Sequence, residues 1–241
     1  MQPTQPINYS TNQLINYTLL LADDALIMGH RLSEWTGHGP ILEQDIAVSN
    51  IALDYIGQAR NFYQYAASLK GEGTTEDSFA YLRDASDFKN HLLAELPNGD
   101  WAQSILKTFF FSAYQFFLYQ QLIKENNEQI SAIAEKSLKE TTYHLRWSSE
   151  WVIRLGDGTD ESHQRMKNAL EYMYMFTGEL FDKPSYDIGF VNYDVLKTQW
   201  QQKINAVFTE ATLTVPSSRW MQSGGVEGKH TEHLGFILAE M

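Results

Sequence analysis

The sequence predicts an all-α fold, a bundle of long helices in a single domain over residues 1–241 with additional helices at the C-terminal end. Apolar residues recur at intervals of three and four over long stretches. The intervals 41–96 and 98–183 contain no proline, so long helices can occupy them. No stretch alternates apolar and polar residues as a half-buried strand does. Residues 1–11 form a polar segment before the first helix.

The first two helices are predicted over about 12–36 and 42–70 from their apolar seams. Gly37–Pro40 ends the first helix, and Gly71 ends the second. The seam residues of the first helix are Leu21, Ala25, Met28, Leu32 and Trp35. Those of the second helix are Val48, Ala52, Tyr55, Ala59, Phe62, Ala66 and Leu69.

Two short helices and a long apolar helix are predicted next. Thr75 caps a short helix over about 75–83, and another covers about 87–96. The third long helix covers about 101–124 and contains an aromatic run, because seven of the eleven positions in 109–119 are aromatic. Such a helix is apolar on nearly every side, so we expect it at the centre of the bundle.

Further helices are predicted over the rest of the chain. The fourth long helix covers about 130–155, with Gly156 as its C-cap. A fifth helix begins at a cap formed by Thr159 or Asp160 and continues to Phe181. The remaining segments are a sixth helix over about 193–211 and a glycine-rich turn followed by a short helix within 226–241.

Composition and charge exclude several classes of function. Thirty acidic residues against eighteen basic ones give a formal charge of −12, which disfavours nucleic acid and anionic membranes as partners. The absence of cysteine excludes disulfides, thiolate metal sites and a cysteine nucleophile, and it fits a reducing compartment. Neither a signal peptide nor a membrane span is predicted, so we expect a cytoplasmic protein.

A helical bundle of this length can hold a di-iron centre, which needs a Glu from each of two helices and Glu-x-x-His from each of the other two. The third long helix contains no Asp, Glu or His, and the second contains no His. The one literal match, Glu227 to His230, lies among glycines, and Thr231 is predicted to cap the helix after it. We therefore predict no catalytic residue, no metal and no cofactor in this chain.

Polar residues nevertheless fall in line with one another along the long helices. They are Glu34 on the first helix, Asn50, Asp54, Gln58 and Asn61 on the second, and His144 on the fourth. We expect these residues to form a buried hydrogen-bonded network in the bundle, in which they satisfy one another. Glu140 lies four residues before His144, so these two side chains share a helix face on which they could meet one ion.

Five ordered strings of the sequence are similar to those of a known family. They are RLSEWTGHGP at 31–40, IGQARNF at 56–62, KETTYHLR at 139–146, DGTD at 157–160 and HTEHLG at 230–235. Together they resemble the C-subunit family of the bacterial phenylacetyl-CoA epoxidase, the ring-activating monooxygenase of aerobic phenylacetate catabolism. The resemblance extends from about Asn12 to the C-terminus.

This resemblance implies a ferritin-like fold and a non-catalytic, structural role. In that family the related A subunit holds the di-iron centre and binds the CoA thioester, and the C subunit pairs with it. The ligand positions of the A subunit would fall on Tyr55 and Gln58 of the second helix and on Thr141 and His144 of the fourth. Three of these four ligands are absent, and Glu34 would be a surviving ligand position. The implied partner is the A subunit, and contacts with other subunits of the complex stay open.

Two alternatives remain. The chain could be an independent metal-dependent oxidoreductase with an unorthodox site formed by Glu34, Asp54, Glu140 and His144, and its metal content would identify that case. It could also be a helical module that binds an apolar ligand, which requires a ligand-sized cavity beneath the aromatic third helix.

Overall fold

The computed structural model describes residues 9–217 and 220–241, so most of the polar segment predicted over 1–11 lies outside the described residues. Within them the chain forms nine α-helices and no β-strand, which confirms the all-α prediction. The helices are α1 (Thr11–Ser33), α2 (Leu42–Lys70), α3 (Glu76–Tyr81), α4 (Leu92–Glu95), α5 (Trp101–Leu122), α6 (Glu128–Gly156), α7 (Asp160–Met173), α8 (Tyr193–Glu210) and α9 (Glu232–Glu240).

The four long helices pack as two pairs. α1 lies along α2, α5 lies along α6, and α2 closes the arrangement against α6. α5 also contacts α4, α7 and α8, and Phe109, Phe110 and Phe111 on it are fully buried. The prediction of a central aromatic helix is therefore confirmed, and this four-helix arrangement is consistent with a ferritin-like bundle.

Local signals locate several helix ends correctly. The bounds of α2 agree with the prediction, and Thr75, Thr159 and Thr231 accept the backbone hydrogen bonds that begin α3, α7 and α9. α1 begins one residue earlier than predicted, because Ser10 and Gln13 form a capping box. It also ends at Ser33, so Trp35 lies in the turn that follows and donates its Nε1–H to Ser104 Oγ.

The prediction that Gly156 is the C-cap of α6 is wrong. Gly156 is the last helical residue, and Asp157 is the cap. A Cβ atom at Gly156 would lie 2.4 Å from the carbonyl oxygen of Ala211, at the end of α8. Glycine is therefore needed at this position for the close approach of two helices, a requirement that adjacent sequence does not reveal.

Two predicted helices are shorter in the structure because long-range hydrogen bonds hold their ends in other conformations. The fifth ends at Met173, and two 3₁₀ turns continue to Phe181. Glu179 in the second turn accepts hydrogen bonds from the backbone N–H groups of Leu92 and Gly224. The helix predicted over 87–96 is reduced to a 3₁₀ turn and the single turn of α4.

None of the helices in the described parts of the chain combines the length and the apolar composition that crossing a bilayer requires.

Candidate functional site

The predicted ligand positions come together between α2 and α6. Tyr55, Gln58, Thr141 and His144 are all buried in the bundle. The rings of Tyr55 and His144 lie 5.0 Å apart, centroid to centroid, and His144 Nε2 lies 3.0 Å from Asp54 Oδ2. Since a carboxylate accepts, Nε2 is the donor in this hydrogen bond.

Gln58 links the same two helices to α5. Its Nε2 donates to Glu140 Oε2 at 2.9 Å, and its Oε1 accepts from the hydroxyl of Tyr119 at 3.1 Å. Gln115 in turn donates to the Tyr119 hydroxyl at 3.2 Å. The two α5 residues were missed at the sequence level, where α5 was treated only as an aromatic core helix. We call Asp54, Tyr55, Gln58, Gln115, Tyr119, Glu140, Thr141 and His144 the core polar cluster.

Some buried polar atoms in the cluster, and one on the same face of α6 beside it, lack partners. Within the described chain, the side-chain atoms Gln115 Oε1, Ser137 Oγ, Thr141 Oγ1 and His144 Nδ1 are buried and accept or donate no hydrogen bond. Ser137, Thr141 and His144 follow one another at spacings of four and three, so they share one face of α6. Hydroxyl groups and one imidazole nitrogen thus occupy this face, and the neighbouring Glu140 carboxylate is hydrogen-bonded to Gln58.

Tyr55 shows how burial affects this interior. Its hydroxyl lies 3.4 Å from Ser112 Oγ on α5. Burial raises the pKa of Tyr55 because the phenolate would lose its hydration, and the nearby Asp24 and Asp54 carboxylates raise it further. The phenol therefore stays protonated at neutral pH and is unsuited to act as an anionic ligand.

Three residues of the predicted network do not join the core polar cluster. Glu34 accepts from Arg31 Nη1 at 2.7 Å and from Asn98 Nδ2 at 2.9 Å. The prediction that Asn50 is buried is wrong, because it lies exposed on the outer face of α2. Asn61 is half-buried and makes no side-chain hydrogen bond to a described residue of the cluster.

The residues between the four long helices do not fit a di-iron centre. Asp54 and Glu140, the carboxylates that contact residues at the ligand positions, are hydrogen-bonded to His144 and Gln58. In the parts of the chain that the structure describes, no group of three or more His, Cys, Asp or Glu side chains is placed to hold a metal ion. None of the four positions Tyr55, Gln58, Thr141 and His144 supplies a carboxylate, whereas a pair of hard cations requires several.

The family of the chain follows from its similarity to known proteins. The chain matches the family model described as phenylacetic acid catabolic protein over residues 1–241. The chain belongs to this family. It is 46% identical over 236 residues to the C subunit of the 1,2-phenylacetyl-CoA epoxidase of Escherichia coli (strain K12), an alignment that covers 95% of each chain. The resemblance inferred from the five sequence strings is thereby confirmed.

In this member of the phenylacetic acid catabolic protein family, the buried Asp and Glu side chains of the described residues lie outside the core polar cluster. Glu95 of α4 is fully buried and accepts from His230 Nδ1 at 2.8 Å, from the Thr231 backbone at 2.6 Å and from Asn90 Nδ2 at 2.9 Å. It thus fastens the C-terminal segment to the bundle. Glu227 instead accepts from the backbone and hydroxyl of Ser185, so the literal Glu-x-x-His match does not converge on one point.

Two further buried carboxylates hold the connector that precedes α4. Asp24 accepts from both the backbone N–H and the Nδ1 of His91, each at 2.8 Å. Asp23 accepts from Lys89 N at 2.8 Å and from the guanidinium of Arg83. Both aspartates lie in the apolar middle of α1, where neighbouring residues do not indicate their partners. These are structural ties, because each carboxylate is saturated by donors of the chain itself.

A groove of about 960 Å³ lies between the start of α1, the end of α2 and α3. Its lining combines apolar residues such as Phe79 and Leu82 with charged ones such as Lys70 and Lys89. Residues of α5 do not line this groove. It is therefore not the cavity beneath the aromatic helix that an apolar-ligand module requires.

Proposed function

We propose that this chain is a non-catalytic subunit of a multicomponent phenylacetyl-CoA epoxidase, in which it pairs with and stabilises a homologous di-iron A subunit. The observation that carries the proposal is the hydrogen bonding within the core polar cluster. Gln58 and His144 stand at ligand positions, and each makes a hydrogen bond to a carboxylate of this chain. Family membership and the similarity to the C subunit of an epoxidase support the same role.

The energetics of the cluster favour a structural role. A di-iron site keeps several carboxylates unpaired and aimed at one point, which is costly in the absence of the metal. Here the carboxylates of Asp54 and Glu140 are compensated by protein donors, so the bundle is stable without an ion. A chain of this kind contributes to an oxygenase through contact with a subunit that holds the metal.

Co-expression with the homologous A subunit, followed by analytical ultracentrifugation in low and in about 1 M salt, tests the proposal. We expect one complex in both conditions. The net charge of −12 disfavours association by charge attraction unless the partner is basic, so we expect the interface to be chiefly apolar. Apolar contacts between helices are not screened by salt. Separate species in both conditions would contradict the proposal. Dissociation in high salt alone would show a chiefly electrostatic interface.

The metal content of the separated subunits distinguishes this role from that of an independent oxidoreductase. Iron should accompany the A subunit, and this chain should carry none after reconstitution with ferrous iron. Iron bound stoichiometrically to the isolated chain, together with turnover in the absence of the A subunit, would favour the oxidoreductase instead.

A further inference from the structure

Three large apolar side chains are exposed on the outer side of α2 in the described chain. Leu42 is 72% exposed, Ile46 is 52% exposed and Leu53 is 68% exposed. They are separated by four and seven residues, so they form one line along the helix. Leucine and isoleucine are usually buried, and an exposed row of them is typical of a surface that a partner covers.

Gly57 continues this line, four residues after Leu53, in the middle of α2. A helix with glycine at an interior position is less stable than the same helix with alanine there, so the presence of Gly57 calls for a physical reason. Gly29 of α1 has such a reason within the chain, because a Cβ atom there would lie 2.8 Å from Ile56 Cδ1 on α2. At Gly57, by contrast, no described atom outside the immediate neighbours lies within 4 Å of the Cβ position.

The contrast between the two glycines shows that packing within the described chain does not account for Gly57. Small residues allow two helix backbones to come close, as Gly29 does where α1 meets α2. The row of exposed apolar side chains supplies contact area on one side of that point. The exposed line and the glycine are independent observations that mark the same helix face.

α6 widens the face. α6 runs antiparallel to α2, since Glu140 is hydrogen-bonded to Gln58 and the later His144 is hydrogen-bonded to the earlier Asp54. Tyr143, which is 39% exposed, therefore lies beside the stretch of α2 that contains Leu53 and Gly57. We call Leu42, Ile46, Leu53, Gly57 and Tyr143 the α2 face.

The α2 face is large enough to form the centre of a stable interface. The distance along the helix from Leu42 to Gly57 is about 22 Å at 1.5 Å per residue. With α6 about 8–10 Å to one side, the two helices offer a patch of roughly 400–450 Å², about half of the ~800 Å² that each side of a standard interface contributes.

We propose that the homologous di-iron subunit docks on the α2 face, with one of its helices crossing α2 at Gly57. This inference rests on the proposed function and adds the location of the interface. The partner helix presents apolar side chains at spacings of three and four to Leu42, Ile46 and Leu53. At the crossing point it approaches the backbone of α2 closely, so a side chain at position 57 obstructs it.

Glycine substitution provides the test, with Gly235 as the matched control. Gly235 is an exposed helical glycine of α9 whose Cβ position is also open. Gly57→Ala and Gly235→Ala should each raise the melting temperature of the isolated chain, because alanine is the better helix former. Titration against the purified A subunit should then separate them, with Kd at least tenfold higher for Gly57→Ala, higher still for Gly57→Leu, and unchanged for Gly235→Ala.

Leu53→Glu gives a second measurement on the same face and should raise Kd at least tenfold without unfolding the chain, because its side chain is exposed. If the wild type binds and all α2-face variants bind within twofold of it, the docking site is wrong and the proposed function stands. If the wild type does not bind the A subunit, both are overturned. Loss of a homodimer in the variants, with unchanged binding to the A subunit, would assign the face to a second copy and overturn this inference.

Discussion

His144 Nε2 lies 3.0 Å from Asp54 Oδ2, and this hydrogen bond joins α6 to α2 through the only histidine of α6. The imidazole is fully buried, whereas the Asp54 side chain is 37% exposed at the edge of the bundle. The second ring nitrogen, Nδ1, has no hydrogen-bond partner in the described chain. The histidine at a predicted ligand position thus serves as a donor between two helices.

The His144–Asp54 pair should contribute a modest coupling energy. A double-mutant cycle with Asp54→Ala and His144→Phe is expected to give about 1 kcal/mol, because one partner is partly solvated and a typical hydrogen bond contributes about that much. Urea denaturation of the four proteins measures it. A coupling energy near zero would show that the 3.0 Å contact does not stabilise the fold.

Thr141 should tolerate an apolar substitution and reject a carboxylate. Its hydroxyl is buried with no partner among the described residues, so Thr141→Val should be neutral or stabilise the protein by up to about 1 kcal/mol. Thr141→Glu should destabilise it by several kcal/mol or take up a proton, because the new carboxylate is buried without compensation. The Thr141→Glu variant should not gain oxygenation activity, since Tyr55 and Gln58 still occupy the two ligand positions of α2.

Thr142→Glu is the control for that series, because Thr142 is the exposed neighbour on the same helix and a surface change there should stay within about 0.5 kcal/mol. Thermal melts at two pH values and a turnover assay with reductant test both expectations. Oxygenation by the Thr141→Glu variant alone, or an unchanged melting temperature, would contradict them.

The isolated chain should hold no stoichiometric iron after reconstitution with ferrous iron. The reason is chemical, since α5 contains no Asp, Glu or His and the α2 positions are Tyr55 and Gln58. Elemental analysis gives the answer, with Glu34→Ala as the diagnostic variant. A content of about two irons per chain that disappears in Glu34→Ala would show that a metal site exists.

The C-terminal segment should be held more weakly as the pH rises. His230 donates from Nδ1 to Glu95 at 2.8 Å and from Nε2 to the Phe88 carbonyl at 2.9 Å, so the imidazolium form fits both acceptors. Burial alone would lower the pKa of His230, but the hydrogen bond and charge of Glu95 outweigh it and raise that pKa. A raised folded pKa means that the stabilisation is fully present below about pH 6.5 and is lost as the pH rises through the folded value.

His230→Gln should therefore cost about 1–3 kcal/mol at pH 6 and progressively less toward pH 9. Urea denaturation across this range measures the cost, with Val226→Ala as the control. Val226 is a buried, non-titrating residue of the same segment, so the cost of its truncation should not vary with pH. A His230→Gln cost that is equally constant would contradict the charged pair.

Local features of the sequence were sufficient to locate several helix ends. The bounds of α2 and the threonine caps of α3, α7 and α9 follow from residues within a few positions of each helix end. The absence of Asp, Glu and His from α5 is equally a property of the chain, and it already disfavoured a di-iron site. These features depend on short-range hydrogen bonding and composition, which tertiary packing does not change.

Tertiary packing decided which polar groups meet. Asp54 and His144 were both predicted to join a buried polar network and do contact each other, but Glu34 pairs with Arg31 and Asn98, and Asn50 faces outward. A seam of apolar residues indicates roughly which side of a helix is buried, and the rotation and crossing of the helices then determine the contacts of each side chain.

The roles of Gly156 and Glu95 also became visible only in the fold. Gly156 lies against the carbonyl of Ala211. Glu95 accepts hydrogen bonds from His230 and Thr231, which follow it in the sequence by 135 and 136 positions. A buried carboxylate needs donors from whichever segments happen to pack around it, and a close helix contact needs a glycine wherever the second helix ends. Both requirements arise from long-range packing, which the periodicity of a single helix does not specify.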